Sequence, residues 1–286
     1  MAGGTGAALA WGAATVSAAR SSRMIGAASA LAWVMIVGLL VTLPAVILGG
    51  VPAALDGASA GWLLAAGIGN VCGLLLEYAA LRVGKVGVVA PIASTEGAIA
   101  ALLAVVAGEH LSPPIAGSLA VIAIGVFLAS ISNASGGEGS DLGRAAARRA
   151  SLLSLAAAAS FGIGLYATGR VGAVLPIAWA VIPARIVGVL IVAIPLVASG
   201  RLRLTRPAVP LVVASGLLEV IGFASFAMGA RHGIAIAAVL ASQFAAVAAA
   251  AAFVVFRERL VRVQIVGVVT ILVGVAVLSG IAATQS

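Results

Sequence analysis

Charge is what this chain has least of. Asp, Glu, Lys and Arg together make up 8% of its 286 residues, against roughly 25% in soluble domains. Apolar residues make up 63% and the mean hydropathy is +1.26, which excludes a water-soluble globular domain. Cysteine occurs once, at Cys72, so there is no disulfide framework and the compartment cannot be read from one. Histidine occurs only at His110 and His232, neither in the middle of an apolar run. No Ser-His arrangement, HExxH pair or Gly-rich phosphate loop is present, so no catalytic residue, metal site or cofactor is expected and the chain is not read as an enzyme. The alternation of a β-barrel strand is missing as well. What is present are long continuous apolar runs. A bilayer offers backbone amides no water, so each run must satisfy its own hydrogen bonds as a helix of roughly 20 residues. The fold class is therefore all-α integral membrane.

The formal net charge is +8, yet the arginines lie in short loops between apolar runs and form no basic patch with interleaved aromatics, so nucleic acid is not expected as a partner. Ten spans are predicted, at about 4–20, 24–49, 61–82, 86–107, 114–132, 151–169, 174–198, 208–230, 234–256 and 262–281. The first twenty residues lack the basic start of a signal peptide and are read as a mature helix. A stretch rich in Gly, Ser and charge, 133–150, is the one plausible flexible linker. It divides the chain into a first five-helix unit, 1–132, and a second, 151–286.

The two units resemble each other. Arg82 to Leu111 and Arg231 to Leu260 lie 149 positions apart, each opening on a basic residue and closing on Glu-His-Leu or Glu-Arg-Leu. At that offset Arg82 falls on Arg231, Glu109 on Glu258 and Gly73 on Gly222; at 150, Gly12 falls on Gly162, Arg20 on Arg170 and Gly38 on Gly188. In a chain with so few charges, such coincidences indicate tandem duplication. Five spans per copy is an odd number, so the second copy enters the membrane from the opposite side, and the expectation is two inverted five-helix repeats. The heavily basic loops all follow odd-numbered spans, which by the positive-inside rule makes that side cytoplasmic and places both termini outside.

Four ionisable residues fall inside predicted spans: Glu77, Glu96, Arg185 and Glu219. Each costs roughly 2.5 to 3.5 kcal/mol at a helix centre and needs a partner, a cavity or a proton. Three acids face one base, so even with Arg185 as counter-ion at least one carboxyl is cheapest protonated. Such a group can exchange a proton for a substrate cation. Glu77 is five residues from the end of its span and could instead reach the headgroups. Asn70 shares a helix face with Glu77 and is matched by Glu219 in the second copy; Ser94 is matched by Gln243, with Thr95 and Ser242 beside them. Pro91 and Pro183 can loosen their helices near a cavity. Trp11 is mid-span and suits a cavity wall, whereas Trp33 and Trp179 suit interfacial anchoring.

These residues resemble a known family, the drug/metabolite transporter superfamily in its ten-helix EamA branch. The likeness rests on Ala10-Trp11-Gly12, on Ala80-Leu81-Arg82 running through Gly108-Glu109-His110-Leu111, and on Gly229-Ala230-Arg231 running through Arg257-Glu258-Arg259-Leu260. It departs from the usual pattern at His110. The resemblance implies two inverted five-helix repeats around a central cavity, which would hold Trp11, Asn70, Glu77, Glu96, Tyr166, Glu219 and Gln243. It also implies termini in the cytoplasm, against the loop charges. The expected function is a secondary transporter of the bacterial inner membrane, exporting an amino acid or other metabolite by alternating access with proton coupling. The expected substrate- and proton-binding residues are Glu96, Glu219, Glu77, Asn70, Gln243, Ser94, Trp11 and Tyr166, with Arg185 as counter-ion. The partners are a small solute, protons and the lipid bilayer, the chain acting as a monomer or homodimer. The competing readings are a multidrug exporter of lipophilic cations and a non-transporting membrane scaffold or sensor.

Overall fold

The computed structural model describes residues 2–130 and 141–256, with isolated positions between 262 and 281. Among the described residues the helices run in the order α1 (Ala2–Ile25), α2 (Ala27–Gly49), α3 (Gly57–Val83), α4 (Val86–Ala93), α5 (Glu96–Val106), α6 (Pro113–Ser130), α7 (Asp141–Val174), α8 (Ile177–Gly188), a π-turn over Val189–Ala193, α9 (Ile194–Ala198), α10 (Val209–Ala230), α11 (Ile234–Ala241) and α12 (Phe244–Phe256). Among the described residues six stretches are long and apolar enough to cross a membrane: Ala27–Gly49, Gly57–Val83, Val88–Val106, Ala145–Val174, Ile177–Ala198 and Arg206–Ala230. Apolar stretches that are shorter occur at Pro113–Gly125 and Ile234–Ala248. The chain is a multi-pass membrane protein. Its outer surface is apolar, with Leu48, Ile47 and Leu40 of α2 and Ile191 of the π-turn all more than 60% exposed, as side chains facing lipid should be. Residues 131–140, which hold the first eight positions of the expected linker, and the second closure, 257–260, lie outside the described residues; the rest of that linker, from Asp141, is helical and begins α7.

Helices from the two halves of the chain pack on each other in reciprocal pairs. α1 packs along α10 and α3 along α7; α4 meets α12 and α5 meets α11; α2 meets α8. Glycines set the closeness of these contacts, since a missing Cβ lets a neighbour lie against backbone. Gly73 receives Phe161, and Gly222 receives Trp11. Gly67 receives Val187, and Gly216 receives Val37; Gly38 receives Arg185, and Gly188 receives Met35. In each case the second contact is the first with both residues shifted by 149 or 150. Arg185 thus stands where the other half has Met35, a charged side chain in an aliphatic position.

Two expected spans are interrupted. Pro91 lacks an N–H, and the hydroxyls of Ser94 and Thr95 donate to Pro91 O and Ile92 O, each at 2.8 Å. The backbone there runs through i to i−3 bonds from Thr95, Gly97 and Ala98, which separates α4 from α5. The second half breaks the same way, with Ser242 Oγ donating to Val239 O at 2.7 Å. The two breaks coincide at an offset of 148, so Ser94 corresponds to Ser242, Thr95 to Gln243 and Glu96 to Phe244. That corrects the Ser94 to Gln243 match by one residue. Tertiary packing, not identity, sets the register in so uniform a stretch. Before Pro195, which cannot donate to residue 191, the helix widens into the π-turn.

Connections sort by end. Arg23 Nε donates to Leu81 O at 3.1 Å, Arg203 N donates to Ser29 Oγ at 3.2 Å, and Gly84 packs on Ala150. One end therefore holds the turns near 23, 84, 150 and 203. At the other end Arg231 Nε donates to Gly172 O at 2.9 Å, Trp179 Nε1 to Gly50 O at 3.2 Å, and the Ile234 N–H to Glu109 Oε2 at 3.0 Å. The described basic loops that the sequence assigns to one side lie together at the first end; the one at 257–261 is outside the described residues.

Candidate functional site: a polar cavity between the two halves

Two reciprocal helix pairs, α1 with α10 and α3 with α7, surround a cavity together with the starts of α5 and α12. α1 turns Trp11 and Thr15 into it, one helical turn apart, and α3 turns Asn70, Leu74 and Glu77, which share a face. α10 supplies Glu219 and Phe223, again four apart, and α7 supplies Phe161, Gly164 and Leu165. Glu96 and Phe244 enter as the first residues after the two helix breaks. The cavity has a volume of about 30 Å3, room for a water or two, so the side chains that line it stand close together. The lining is not symmetric in chemistry. Trp11 corresponds to Phe161, both aromatic, but Asn70 corresponds to Glu219 and Glu96 to Phe244, so each half contributes acids at different positions.

The charged groups sit deep. Glu77, Glu96 and Glu219 are 4%, 4% and 6% exposed, and Arg185 is fully buried. Arg185 NH2 lies 3.9 Å from Glu219 Oε2, within ion-pair reach but beyond a hydrogen bond, while its guanidinium carbon stands 5.2 Å from the centre of the Phe223 ring. Its NH1 lies 3.9 Å from Met35 Sδ. One cation thus faces three carboxyls, and the remaining acids have no cation of their own among the described lining residues. Several cavity atoms also lack a hydrogen-bond partner among the described residues: Trp11 Nε1, both ends of the Asn70 amide, Glu77 Oε1 and Glu219 Oε2. A buried polar group left so costs about 1 to 3 kcal/mol, and here five such atoms collect around one space. They offer donors and acceptors together, the equipment for holding a small polar solute, with carboxyls able to carry protons.

The expected site residues divide accordingly. Trp11, Asn70, Glu77, Glu96 and Glu219 converge on the cavity, and Glu77 does not reach the headgroup region but turns inward. Ser94 spends its hydroxyl on its own helix, and Gln243 Nε2 donates to Val239 O at 3.0 Å. Tyr166 stands elsewhere, edge-on to Trp62 at 5.6 Å, its hydroxyl accepting from Arg170 NH1 at 3.3 Å. Sequence reasoning missed Phe161, Phe223 and Phe244. Phe161 was within reach, as the residue matching Trp11 at an offset of 150. The other two are apolar residues in an apolar run, without contrast to mark them.

No curated protein matches the chain. Among solved structures, one crystal structure aligns over 99% of this chain and 97% of its own, with a TM-score of 0.73 and 19% identity, a likeness that speaks for the fold alone. Residues 2–131, a little under half of the chain and all of it before the second unit, match the model of the EamA-like transporter family. That match supports the drug/metabolite transporter superfamily, and with it a membrane transporter of small solutes, as what this chain is similar to.

Proposed function

We propose that the protein is a secondary transporter that moves a small organic solute, an amino acid or other metabolite, across the bacterial inner membrane by alternating access, as proton-coupled export. The observation that carries this reading is the convergence of Trp11, Asn70, Glu77, Glu96 and Glu219 on one cavity between apolar helices, with five polar atoms unsatisfied among the described residues. Such a cluster is costly in a bilayer and is explained by a passenger and its protons. In this reading Arg185 is the counter-ion of Glu219, and the other acids exchange protons for solute. The reciprocal helix pairs and the glycine contacts that recur at offsets of 149 and 150 support two inverted five-helix repeats, which rock about the cavity. The interruptions beside Glu96 and Phe244 support a site built at broken helices.

Glu219→Gln is expected to abolish proton-driven flux in proteoliposomes while the protein still elutes as a folded species. Unchanged proton-driven flux would refute the role of Glu219. A second reading, export of lipophilic cations, is favoured by one observation: aromatic residues are only 5% of the chain, yet Trp11, Phe161, Phe223 and Phe244 all line a cavity with three acids, a combination that attracts organic cations. Growth of an overexpressing strain on toxic cations, compared with toxic amino-acid analogues, separates the two.

A further inference from the structure

The end of the bundle that gathers the basic turns carries a groove distinct from the central cavity. It lies between the α1–α2 corner, the last turns of α3 and the segment 200–203, is open to the surroundings and has a volume of about 670 Å3. Four arginines line it, Arg23, Arg82, Arg201 and Arg203, and among the described residues no acidic side chain does. Arg23 is engaged with the carbonyls of Leu81 and Gly84. Arg82, Arg201 and Arg203 are exposed, and like charges are gathered there at a cost that an anion would relieve. The segment carrying two of them is held in place. Arg203 N donates to Ser29 Oγ at 3.2 Å, and Trp33 Nε1 donates to Arg203 O at 3.1 Å.

The remaining wall of the groove is apolar and continues down the molecule. Below Arg82, the face of α3 that looks outward repeats through Leu75 and Ile68, which are 37% and 43% exposed. Steps of seven keep the three residues on one side of the helix. From Arg82 to Ile68 is about 21 Å of helix, the depth of a headgroup plus one leaflet of a hydrocarbon core roughly 30 Å thick. A soluble anion would use the arginines and leave that track untouched.

We propose that this groove binds an anionic phospholipid of the adjoining leaflet, its phosphate held by Arg82, Arg201 and Arg203 and an acyl chain laid along Leu75 and Ile68. Basic pockets between membrane helices at the side of the basic loops suit such headgroups. The test uses the purified full-length protein in detergent, with dioleoyl phosphatidylglycerol, dioleoyl phosphatidylcholine and inorganic phosphate as separate probes, followed by native mass spectrometry and thermal unfolding. Phosphatidylglycerol is expected to stay bound and raise the melting temperature, while phosphatidylcholine with the same chains and inorganic phosphate do neither. R201Q/R203Q should bind phosphatidylglycerol about tenfold more weakly or worse, whereas R206Q, which removes a charge at the same end outside the groove, should bind within about twofold of the parent. Equal retention of both lipids overturns the proposal. So does stabilisation by inorganic phosphate equal to that by phosphatidylglycerol, or an equal loss in R206Q. If the double variant does not fold, the comparison of the three probes on the parent protein decides alone.

Discussion

Arg185 shows what a single residue does in this molecule. It occupies the position that Met35 occupies in the other half, lying over Gly38 as Met35 lies over Gly188, so its stem packs as an aliphatic chain while its head faces Glu219. Removing one partner of a buried pair strands the other. Arg185→Met and Glu219→Gln should therefore each destabilise the protein, and the double variant should lose less than the sum, by about 1 to 3 kcal/mol in a double-mutant cycle read by thermal unfolding. Additive losses would mean that the 3.9 Å separation carries no energy. A second residue-scale expectation concerns glycine. A Cβ on Gly69 would press on the backbone of Gly164 at 2.8 Å, whereas Gly61 has open space around it. Gly69→Ala should cost about 1 to 3 kcal/mol, and Gly61→Ala should be neutral or slightly stabilising.

The charged residues in apolar runs were legible at this scale because each one violates the cost of a bilayer. Their neighbours were not. Periodicity puts Asn70 and Glu77 on one face of α3, but it cannot say that Arg185 of another helix stands by Glu219, or that Tyr166 turns to Trp62 and Arg170.

At the scale of elements, helix ends explain two acids outside the membrane-spanning segments. Glu109, the rare residue that marked the first closure, accepts from the N–H groups of Ile234 and Ala235, capping α11 across the gap between the two halves. Its partner by offset, Glu258, lies outside the described residues. Glu109→Gln should lower stability by about 1 to 2 kcal/mol, measured by thermal unfolding. Asp56 caps α3, accepting from the Ser59 N–H at 2.7 Å, and that hydrogen bond, with a second from the Ser59 side chain, holds its carboxyl below the ordinary 3.8. Because the folded value is the lower one, the stabilisation is present above the unfolded carboxylate range and is lost as pH falls through the folded value. The difference in melting temperature between the parent and Asp56→Asn should therefore shrink on acidification. A difference that is constant with pH would deny the cap its charge. Span positions were readable from hydropathy alone. The breaks at 94–95 and 242–243 were not, since they arise from hydroxyls and a proline competing with the helix ladder beside a cavity.

For the whole molecule, the contacts assign each described loop to one of two ends without reference to charge. Ala53 and Arg206 lie in exposed loops at opposite ends. With Cys72 replaced by Ala, single cysteines at 53 and 206 in intact cells should differ, with one of the two reacting with a membrane-impermeant maleimide and the other only after lysis. Reaction of both in intact cells would contradict the arrangement. The positive-inside rule adds that 206 should be the protected one.

The sequence by itself determined that this protein lives in a bilayer as helices, where its basic loops gather, and which polar residues need an explanation. Those follow from composition and from the energy of moving single groups out of water, quantities that belong to residues one at a time. Only the tertiary structure decided that Trp11, Asn70, Glu77, Glu96 and Glu219 share one cavity while Tyr166 does not, that Ser94 answers to Ser242, and that Glu109 caps a helix of the other half. Those depend on which faces meet across the bundle. In a chain where nearly every face is apolar, that is settled by the shapes of glycine notches and the side chains that fill them, not by hydropathy.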